Sequence, residues 1–522
     1  MTHPLEPYIT RNEPFGPIDS TDIDPGETVA LEKLFEQHNR IYRNLHRRPS
    51  IIMGRKGSGK TSYLRTVYFE SKYDFHVEIR TDHALAHISK AIQDTIKDAV
   101  FPEMLAEVWE IILWLCVLYE LRWRDFLPPD TAKQADAYFE KIGVQHAANM
   151  EDIFWKLADV FDQMSKAGQR VGLSEVLRRL DHAAFKSVAA AAEESLRRTN
   201  KKFVILMDSL DDFQLDFDSV AYAIQGLLKC VGSMNKPRDV VDIRFCLPAE
   251  LYRRIVKISS NPNKDFRRSL KLQWTASELL LIGAQRLKIF LELYYPDYLN
   301  QLLPLDLTSK TDALKLFGAV LPKHVINQAG HREETIAYIL RHTQLLPRHL
   351  LILLNSIFKN LNHEQRSSPF PISEARILNG IRQEEARIVQ EIFVAFKLIH
   401  PAAEKVCERC IPELKHQFSV GDLHRVYTRK GKIVFDGDTQ FEFRRMLLEI
   451  GALGKVKLGK ASDMYIRGNF EYTVEHELGI SDDDELCVHP LFSGKYGNDT
   501  KDRPVYPYGC ELNDEDYRDN FE

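Results

Sequence analysis

An eight-residue loop motif constrains the fold of this chain more than any other feature of the sequence. Residues 54–61 read GRKGSGKT and match the pattern G-x-x-x-x-G-K-[ST] at every fixed position. The apolar run 50–53 precedes the motif, and residues 62–70 continue it with the character of a helix. A strand, a glycine-rich loop and a helix in this order form the context in which the pattern binds phosphate. The chain is therefore expected to contain a buried strand that ends in a phosphate-binding loop.

Each position of the motif has its own chemical task. Glycine lets the loop curl until backbone N–H groups face phosphate oxygens, and a following helix adds the positive end of its dipole. Lys60 would reach the β- and γ-phosphates, and Thr61 would offer its hydroxyl to Mg²⁺. The predicted nucleotide-binding residues are Gly54, Arg55, Lys56, Gly57, Ser58, Gly59, Lys60 and Thr61. The predicted cofactors are ATP and Mg²⁺; guanine is disfavoured because Arg238 stands where the N-K-x-D motif needs Asp.

A second buried strand supplies the acidic partner that such a loop needs. Residues 203–207 (FVILM) are apolar throughout and end at Asp208, which we predict to be the Mg²⁺ ligand from this strand, acting through water. Hydrolysis also needs a carboxylate that orients or deprotonates the attacking water. Ser209 follows Asp208 directly, so Asp211 or Asp212 would have that catalytic role. The sequence does not distinguish these two, and both would equally suit the N-terminus of a helix.

Strands alternate with helices along the first 300 residues, which is typical of a parallel α/β sheet. Further strands are predicted at 75–79, 240–247 and 270–274, and a capping box at 275–278 opens a long helix. The predicted fold class is α/β: a P-loop NTPase sheet with a helical insertion and a helical lid, plus a C-terminal winged-helix-like domain. The predicted divisions are an extended arm (1–27), the core (28–300) with its insertion (about 83–199), the lid (301–365) and the C-terminal domain with an acidic tail (372–522).

Composition narrows the class of protein. The 522 residues are 44% hydrophobic and 28% charged, which is typical of a globular chain, and the formal charge of −5 restricts any nucleic-acid surface to a local patch. Seven scattered cysteines indicate no disulfide framework, so a reducing cytoplasm is expected. The most apolar run, 111–118, is too short for a bilayer and is predicted to be a buried helix, with no membrane partner.

The C-terminal region has the pattern of a winged helix. Helices are predicted at 420–427 and 441–450, followed by a hairpin whose wing carries Lys455, Lys457 and Lys460. Such a domain can bind DNA through phosphates, and it can equally contact protein. The acidic residues 482–485 oppose DNA binding if they pack near the wing.

Taken together, the P-loop at 54–61, ILMDSLDD at 205–212, VDIRFCL at 241–247 and Leu346-Pro347-Arg348 resemble the AAA+/STAND group of bacterial P-loop ATPases. The resemblance implies that Arg348, at a helix start, faces the nucleotide as a basic sensor. It also implies a polar sensor at the end of a strand between the two nucleotide-binding strands. Here that strand ends Cys246-Leu247-Pro248, and Arg244 and Glu250 are poor substitutes for the sensor.

Three functions remain open. The first is an ATP-binding and ATP-hydrolysing switch in a bacterial multi-protein system, with antiphage defence suggested by the resemblance alone. The second is a DNA-binding AAA+ regulator of the initiator or transposition type. The third is a nucleotide-binding scaffold with negligible turnover. A homo-oligomer or a partner protein is expected in each case, with DNA as a further partner in the second.

Overall fold

A computed structural model describes most of the chain. The described residues are 3–37, 39–70, 72–79, 102–147, 149, 152–153, 155–157, 159, 173–208, 217–234, 240–258, 266, 268–361, 369–457, 464–473, 477–497 and 503–512. They form two compact units. The first comprises residues within 1–39, 57–59 and 273–518, and the second comprises 40–56 and residues within 60–272.

The strands and helices follow one another in the order that the hydrophobic pattern predicts for most of the chain. The strands are β1 (Ile51–Gly54), β2 (Phe75–Ile79), β3 (Phe203–Met207), β4 (Val241–Pro248), β5 (Ser269–Leu272), β6 (His324–Ile326), β7 (Arg332–Glu334), β8 (Gln417–Ser419), β9 (Leu453–Val456), β10 (Ile466–Asn469), β11 (Glu485–Val488) and β12 (Val505–Pro507). The helices are α1 (Thr28–Leu34), α2 (Arg40–Arg43), α3 (Lys60–Leu64), α4 (Pro102–Trp123), α5 (Pro129–Lys141), α6 (Leu173–Arg179), α7 (His182–Arg198), α8 (Phe217–Met234), α9 (Ala249–Ile258), α10 (Ala276–Tyr294), α11 (Pro296–Asn300), α12 (Lys310–Val320), α13 (Thr335–Arg341), α14 (Pro347–Phe358), α15 (Glu374–Phe396), α16 (Ala403–Cys410), α17 (Val420–Arg429), α18 (Gln440–Glu449) and α19 (Pro490–Tyr496).

A five-stranded parallel sheet forms the centre of the second unit. Its order is β2-β3-β4-β1-β5, so β4 lies between the strand that ends in the P-loop and the strand that ends at Asp208. Every residue of β3 and of β4 is buried, as expected for strands covered on both faces. The predicted parallel α/β fold is confirmed. Because all five strands run the same way, their carboxyl ends meet along one edge.

Helices α4 to α7 form the described part of the predicted helical insertion. Residues 111–118 of α4 are all buried, which confirms the predicted buried helix. Helix α8 approaches α4 closely at Gly226, where an added Cβ would lie 2.6 Å from Leu105 Cβ. Glycine is needed at this point of α8 because a larger side chain would separate the two helices. Among the described residues, no helix combines the length and apolar character that crossing a bilayer requires.

The N-terminal segment differs from the extended arm that its prolines predicted. Turns and a short 3-10 helix (Ser20–Asp22) replace the extended chain, and Leu5, Ile9 and Phe15 are fully buried. The Asn355 side chain accepts a hydrogen bond from Phe15 N–H (2.7 Å) and donates one to the Gly16 carbonyl (3.0 Å). The buried apolar residues and the two hydrogen bonds of Asn355 hold this segment in the first unit.

The described part of the predicted helical lid (301–365) is also not wholly helical. An antiparallel hairpin of β6 and β7 lies between α12 and α13. The Asn327 side chain caps the turn by accepting from the Ala329 and His331 N–H groups, and Gly330 takes a φ of +82°. Local side-chain hydrogen bonds thus outweigh helix periodicity over these few residues.

The C-terminal domain has the winged-helix order of helix, strand, two helices and a hairpin. These elements are α16, β8, α17, α18 and the β9–β10 pair. The sheet order is β12-β10-β9-β11-β8. The residues predicted as an acidic tail instead lead into β11, which pairs with both β9 and β8. That prediction was wrong because Leu486, Cys487 and Val488 are apolar enough to be buried within the sheet.

A buried acid–base pair lies between α13 and α15. The Glu385 carboxylate is 3.6 Å from His342 Nε2, and both residues are buried. Burial raises the pKa of Glu385 to about 7, against the opposing effect of Arg341 and Arg382. Burial and the nearby Arg341 hold the pKa of His342 well below its usual value. Both side chains are therefore favoured in their neutral forms.

The raised pKa of Glu385 predicts a pH-dependent stability. An acid whose folded-state pKa lies above its unfolded value stabilises the fold at low pH, and this contribution is lost as pH rises through about 7. Glu385→Gln should therefore gain stability relative to the wild type between pH 5 and 8, on the order of 3 kcal/mol at the upper end. Urea denaturation across this range would measure the difference. The neighbouring Glu384→Gln is the control, and equal pH profiles for wild type and Glu385→Gln would contradict the prediction.

Candidate functional site

The P-loop motif lies between the end of β1 and the start of α3, where the sequence predicted it. Gly57 and Gly59 have φ values of +84° and +92°, a backbone region that side-chain-bearing residues rarely adopt. Among the described residues, apart from the two chain neighbours of Gly59, no atom lies within 4 Å of the position of a Cβ added there, so backbone conformation and not crowding favours glycine. The loop therefore has the curled backbone that phosphate binding needs.

Lys60 and Thr61 begin α3 in the second unit. Lys60 is 5% exposed, and its Nζ donates to the Arg55 carbonyl at 3.3 Å. The Thr61 hydroxyl donates to Asp208 Oδ1 at 3.0 Å. The parallel sheet thus brings together the hydroxyl and the carboxylate that the sequence predicted as Mg²⁺ ligands. Both are hard oxygen donors of the kind that Mg²⁺ binds, with water filling its other positions.

The other predicted acidic residues cannot be placed. Ser209, Asp211 and Asp212 lie outside the described residues, so the choice between the last two stays open.

Arg348 lies beside the P-loop glycines of the first unit. Its backbone N–H donates to the Gly57 carbonyl at 3.2 Å, and its Cβ is 3.0 Å from the position of a Cβ added at Gly57. The Arg348 guanidinium pairs with Asp19 of the N-terminal segment. Pro347 occupies the first turn of α14, as predicted. The predicted basic sensor is thus positioned at the loop, with its charge paired to a carboxylate.

Sequence reasoning missed two further residues at this loop. The indole Nε1 of Trp274 donates to the Ser58 carbonyl at 2.9 Å, and the Asp19 carboxylate accepts from Arg348. Trp274 lies two residues beyond the end of β5, and the capping-box residue Thr275 follows it. The Gly57 and Ser58 carbonyls thus accept from the Arg348 N–H and the Trp274 indole, so these two acceptors have donors within the protein.

Glu250, considered a poor sensor from the sequence, contacts the P-loop in the second unit. Strand β4 ends at Pro248, and Glu250 lies in the first turn of α9. Its Oε1 accepts from Lys56 N–H at 2.9 Å and lies 4.0 Å from Arg55 Nε. The signal available in the sequence was its position just beyond the carboxyl end of the strand between β1 and β3.

The wing of the C-terminal domain is a second candidate site, because the sequence predicted DNA contact there. Lys455 Nζ pairs with Asp484 at 2.8 Å and donates to the Gly479 carbonyl at 3.2 Å. Lys457 Nζ lies 3.8 Å from the centroid of the Tyr508 ring. Lys460 lies outside the described residues. Both described wing lysines therefore already have partners within the chain.

Those partners belong partly to an acidic segment, residues 477–485, which has five carboxylates and no basic side chain. Besides Lys455, the segment approaches α18, with Asp482 3.7 Å from Arg444 and Glu477 3.8 Å from Arg445. The hydrogen bond from Lys455 holds the pKa of Asp484 down to about 2. Asp484 therefore stays charged, and the acidic segment places carboxylates beside basic groups of the face on which a nucleic acid would be expected.

Comparison with known proteins gives little guidance. No protein-family model matches the chain. No curated protein matches it either. Among solved structures, the ORC2 protein of Aeropyrum pernix, described as ADPNP-ADP complexes, aligns over 91% of this chain and 95% of its own. The identity is 13% and the TM-score is 0.35.

The Thr61–Asp208 contact predicts a defined effect on Mg²⁺ dependence. Asp208→Asn should abolish most of the gain in ATP affinity that Mg²⁺ provides, about tenfold for one charged oxygen partner. Nucleotide titration calorimetry with and without Mg²⁺ measures this gain. Asp130→Asn, on the exposed first turn of α5, is the control. Retention of the full Mg²⁺ effect by Asp208→Asn would exclude this carboxylate from the metal site.

Proposed function

We propose that this chain is a Mg²⁺-dependent ATP-binding and ATP-hydrolysing switch of the AAA+ type. The observation that carries the proposal is the 3.0 Å contact between the Thr61 hydroxyl and the Asp208 carboxylate at the carboxyl edge of the parallel sheet. The glycines Gly57 and Gly59, with positive φ, lie just before Lys60 and Thr61. Together these groups provide phosphate-facing amides, a lysine and two metal-ligating oxygens, which is the set that a nucleoside triphosphate with Mg²⁺ requires.

The mechanism follows from the groups present. Loop amides bind the phosphates, and Lys60 leaves the Arg55 carbonyl to neutralise their charge. Thr61 and Asp208 would hold Mg²⁺, which supplies charge stabilisation at the phosphates. Arg348 would exchange Asp19 for the terminal phosphate and so report its presence. Asp211 or Asp212 would orient the attacking water. Binding of ATP and its hydrolysis would thus give the protein two states with different contacts at Lys60 and Arg348, as a conformational switch requires.

The biological role is a further part of the proposal. A bacterial multi-protein setting, including antiphage defence, rests on the STAND-like motif resemblance alone. A homo-oligomer or partner protein would supply the surface on which a switch acts. A scaffold with negligible turnover differs from this proposal only in the hydrolysis step, so steady-state ATPase measurements separate the two.

Lys60→Ala tests nucleotide binding directly. Loss of the charge-assisted contacts, each about 1.5–3 kcal/mol, should weaken ATP binding by about ten- to hundredfold or more. Calorimetry on protein shown to be folded by circular dichroism gives the affinity. Lys72→Ala removes a lysine of the same unit that pairs with Glu70, and should leave the affinity unchanged. An unchanged affinity in Lys60→Ala would refute the site.

Contact of the C-terminal domain with duplex DNA is the second candidate function. The observation that favours it is the exposed basic face of α17 and the turn after it. This face carries His424, Arg425, Arg429, Lys430 and Lys432, all of them exposed. Arg425 pairs with Asp422, and Lys430 pairs with Glu413 at 2.6 Å. Arg429 and Lys432 are the best placed of these groups to meet phosphate.

The salt dependence of binding identifies the surface that is used. Each phosphate contact adds about 0.9 to the slope of log K against log salt concentration. Replacing Arg429 and Lys432 with Ala should therefore flatten the slope by about 2, whereas replacing Lys455 and Lys457 should change it less, since Asp484 and Tyr508 already engage them. Fluorescence anisotropy on the 522-residue chain with duplex DNA measures both slopes. A larger effect at the wing lysines would reverse the assignment, and no binding by wild type at low salt would remove this function.

A further inference from the structure

One peptide unit of the P-loop is held from both sides. Its N–H, that of Lys56, donates to Glu250 Oε1 at 2.9 Å, and its carbonyl, that of Arg55, accepts from Lys60 Nζ at 3.3 Å. A trans peptide is planar, and its N–H and C=O point in opposite directions. Fixing the N–H therefore fixes the direction of the carbonyl.

Glu250 is well suited to hold this group. It is the second residue of α9, which directly follows the fully buried strand β4, so its backbone is anchored by the sheet. Its side chain is 3% exposed, and its Oε2 is buried with no hydrogen-bond partner among the described residues. Burying a carboxylate is costly. The cost is offset here only in part, by the loop amide and by Arg55, whose Nε lies 4.0 Å away.

We propose that Glu250 is a positioning residue of the nucleotide site, which keeps the Arg55 carbonyl directed at Lys60 and away from the phosphates. The proposal rests on the proposed nucleotide-binding function. Lys60 is thereby held close to the phosphate-binding loop before the nucleotide binds. If the peptide rotated, the carbonyl oxygen would face anionic phosphate, and Lys60 would lose this hydrogen bond.

Direct sensing of the terminal phosphate by Glu250 is disfavoured by charge. A carboxylate repels phosphate, whereas the polar sensor expected at this strand end should attract it. The Lys56 N–H accounts for the position of Oε1 without any ligand. Glu250 thus occupies the location expected for a sensor and acts on the loop backbone.

Two neutral replacements distinguish positioning from charge. Glu250→Gln keeps an oxygen acceptor of the same reach, whereas Glu250→Ala removes it. We expect Glu250→Gln to bind ADP and ATP–Mg²⁺ at least as tightly as wild type, because a negative charge near the phosphates is lost. Glu250→Ala should bind both nucleotides about ten- to hundredfold more weakly. Glu250→Asp, one methylene shorter, should be weakened to an intermediate degree and provides a second variant if Glu250→Ala does not fold.

Calorimetry on the 522-residue chain measures these affinities, and thermal unfolding without nucleotide is measured alongside. Glu103→Ala, an exposed acidic residue in the first turn of α4, is the control. An unchanged nucleotide affinity in Glu250→Ala would overturn the assignment. If Glu250→Ala does not fold, an unchanged affinity in Glu250→Asp would do so. Equal changes in Glu250→Gln and Glu250→Ala would also overturn it, since charge alone would explain them. Absence of nucleotide binding by the wild type would refute the proposed function, and this inference with it.

Discussion

The hydrogen bond between Thr61 and Asp208 depends on the parallel arrangement of strands that are far apart in the chain. These residues are separated by 147 positions, yet their oxygens lie 3.0 Å apart. Parallel strands β1, β4 and β3 stand side by side, so the residues that follow β1 and β3 emerge at the same edge. The apolar residues of β3 and β4 keep the strands buried and in register, and the polar residues just beyond them are placed as a consequence.

The P-loop is held by side chains as well as by its own glycines. Within the second unit, Glu250 holds the Lys56 N–H and the Arg55 carbonyl accepts from Lys60. Within the first unit, Trp274 and the Arg348 backbone hold the Ser58 and Gly57 carbonyls. The carbonyl oxygens of Arg55, Gly57 and Ser58 would repel a phosphate if they faced it. Each of them already accepts a hydrogen bond within the protein. This preorganisation reduces the cost of ordering the loop when an anion binds.

In the C-terminal domain, pairing between charged side chains changes which surface is available to bind phosphate. Helix order and hairpin match a winged helix, but the acidic segment 477–485 engages Lys455 and lies close to Arg444 and Arg445. Those basic groups would otherwise contribute to a phosphate-binding face. A group of exposed basic residues lies on α17 and the turn after it. The location of the domain's positive surface therefore depends on which carboxylates fold back onto it.

The sequence by itself determined the local features: the P-loop with its flanking strand and helix, the strand at 75–79, the buried strand at 203–207, the capping box at Thr275, and the helices of the C-terminal domain. Glycine spacing, apolar runs and caps act over a few residues, so they can be recognised in the chain alone. Only the tertiary structure decided the contact of Glu250 with the loop, the pairing of Arg348 with Asp19, and the entry of β11 between β8 and β9. These interactions join residues tens to hundreds of positions apart. They depend on strand order and on competition between charged partners, which no local pattern records.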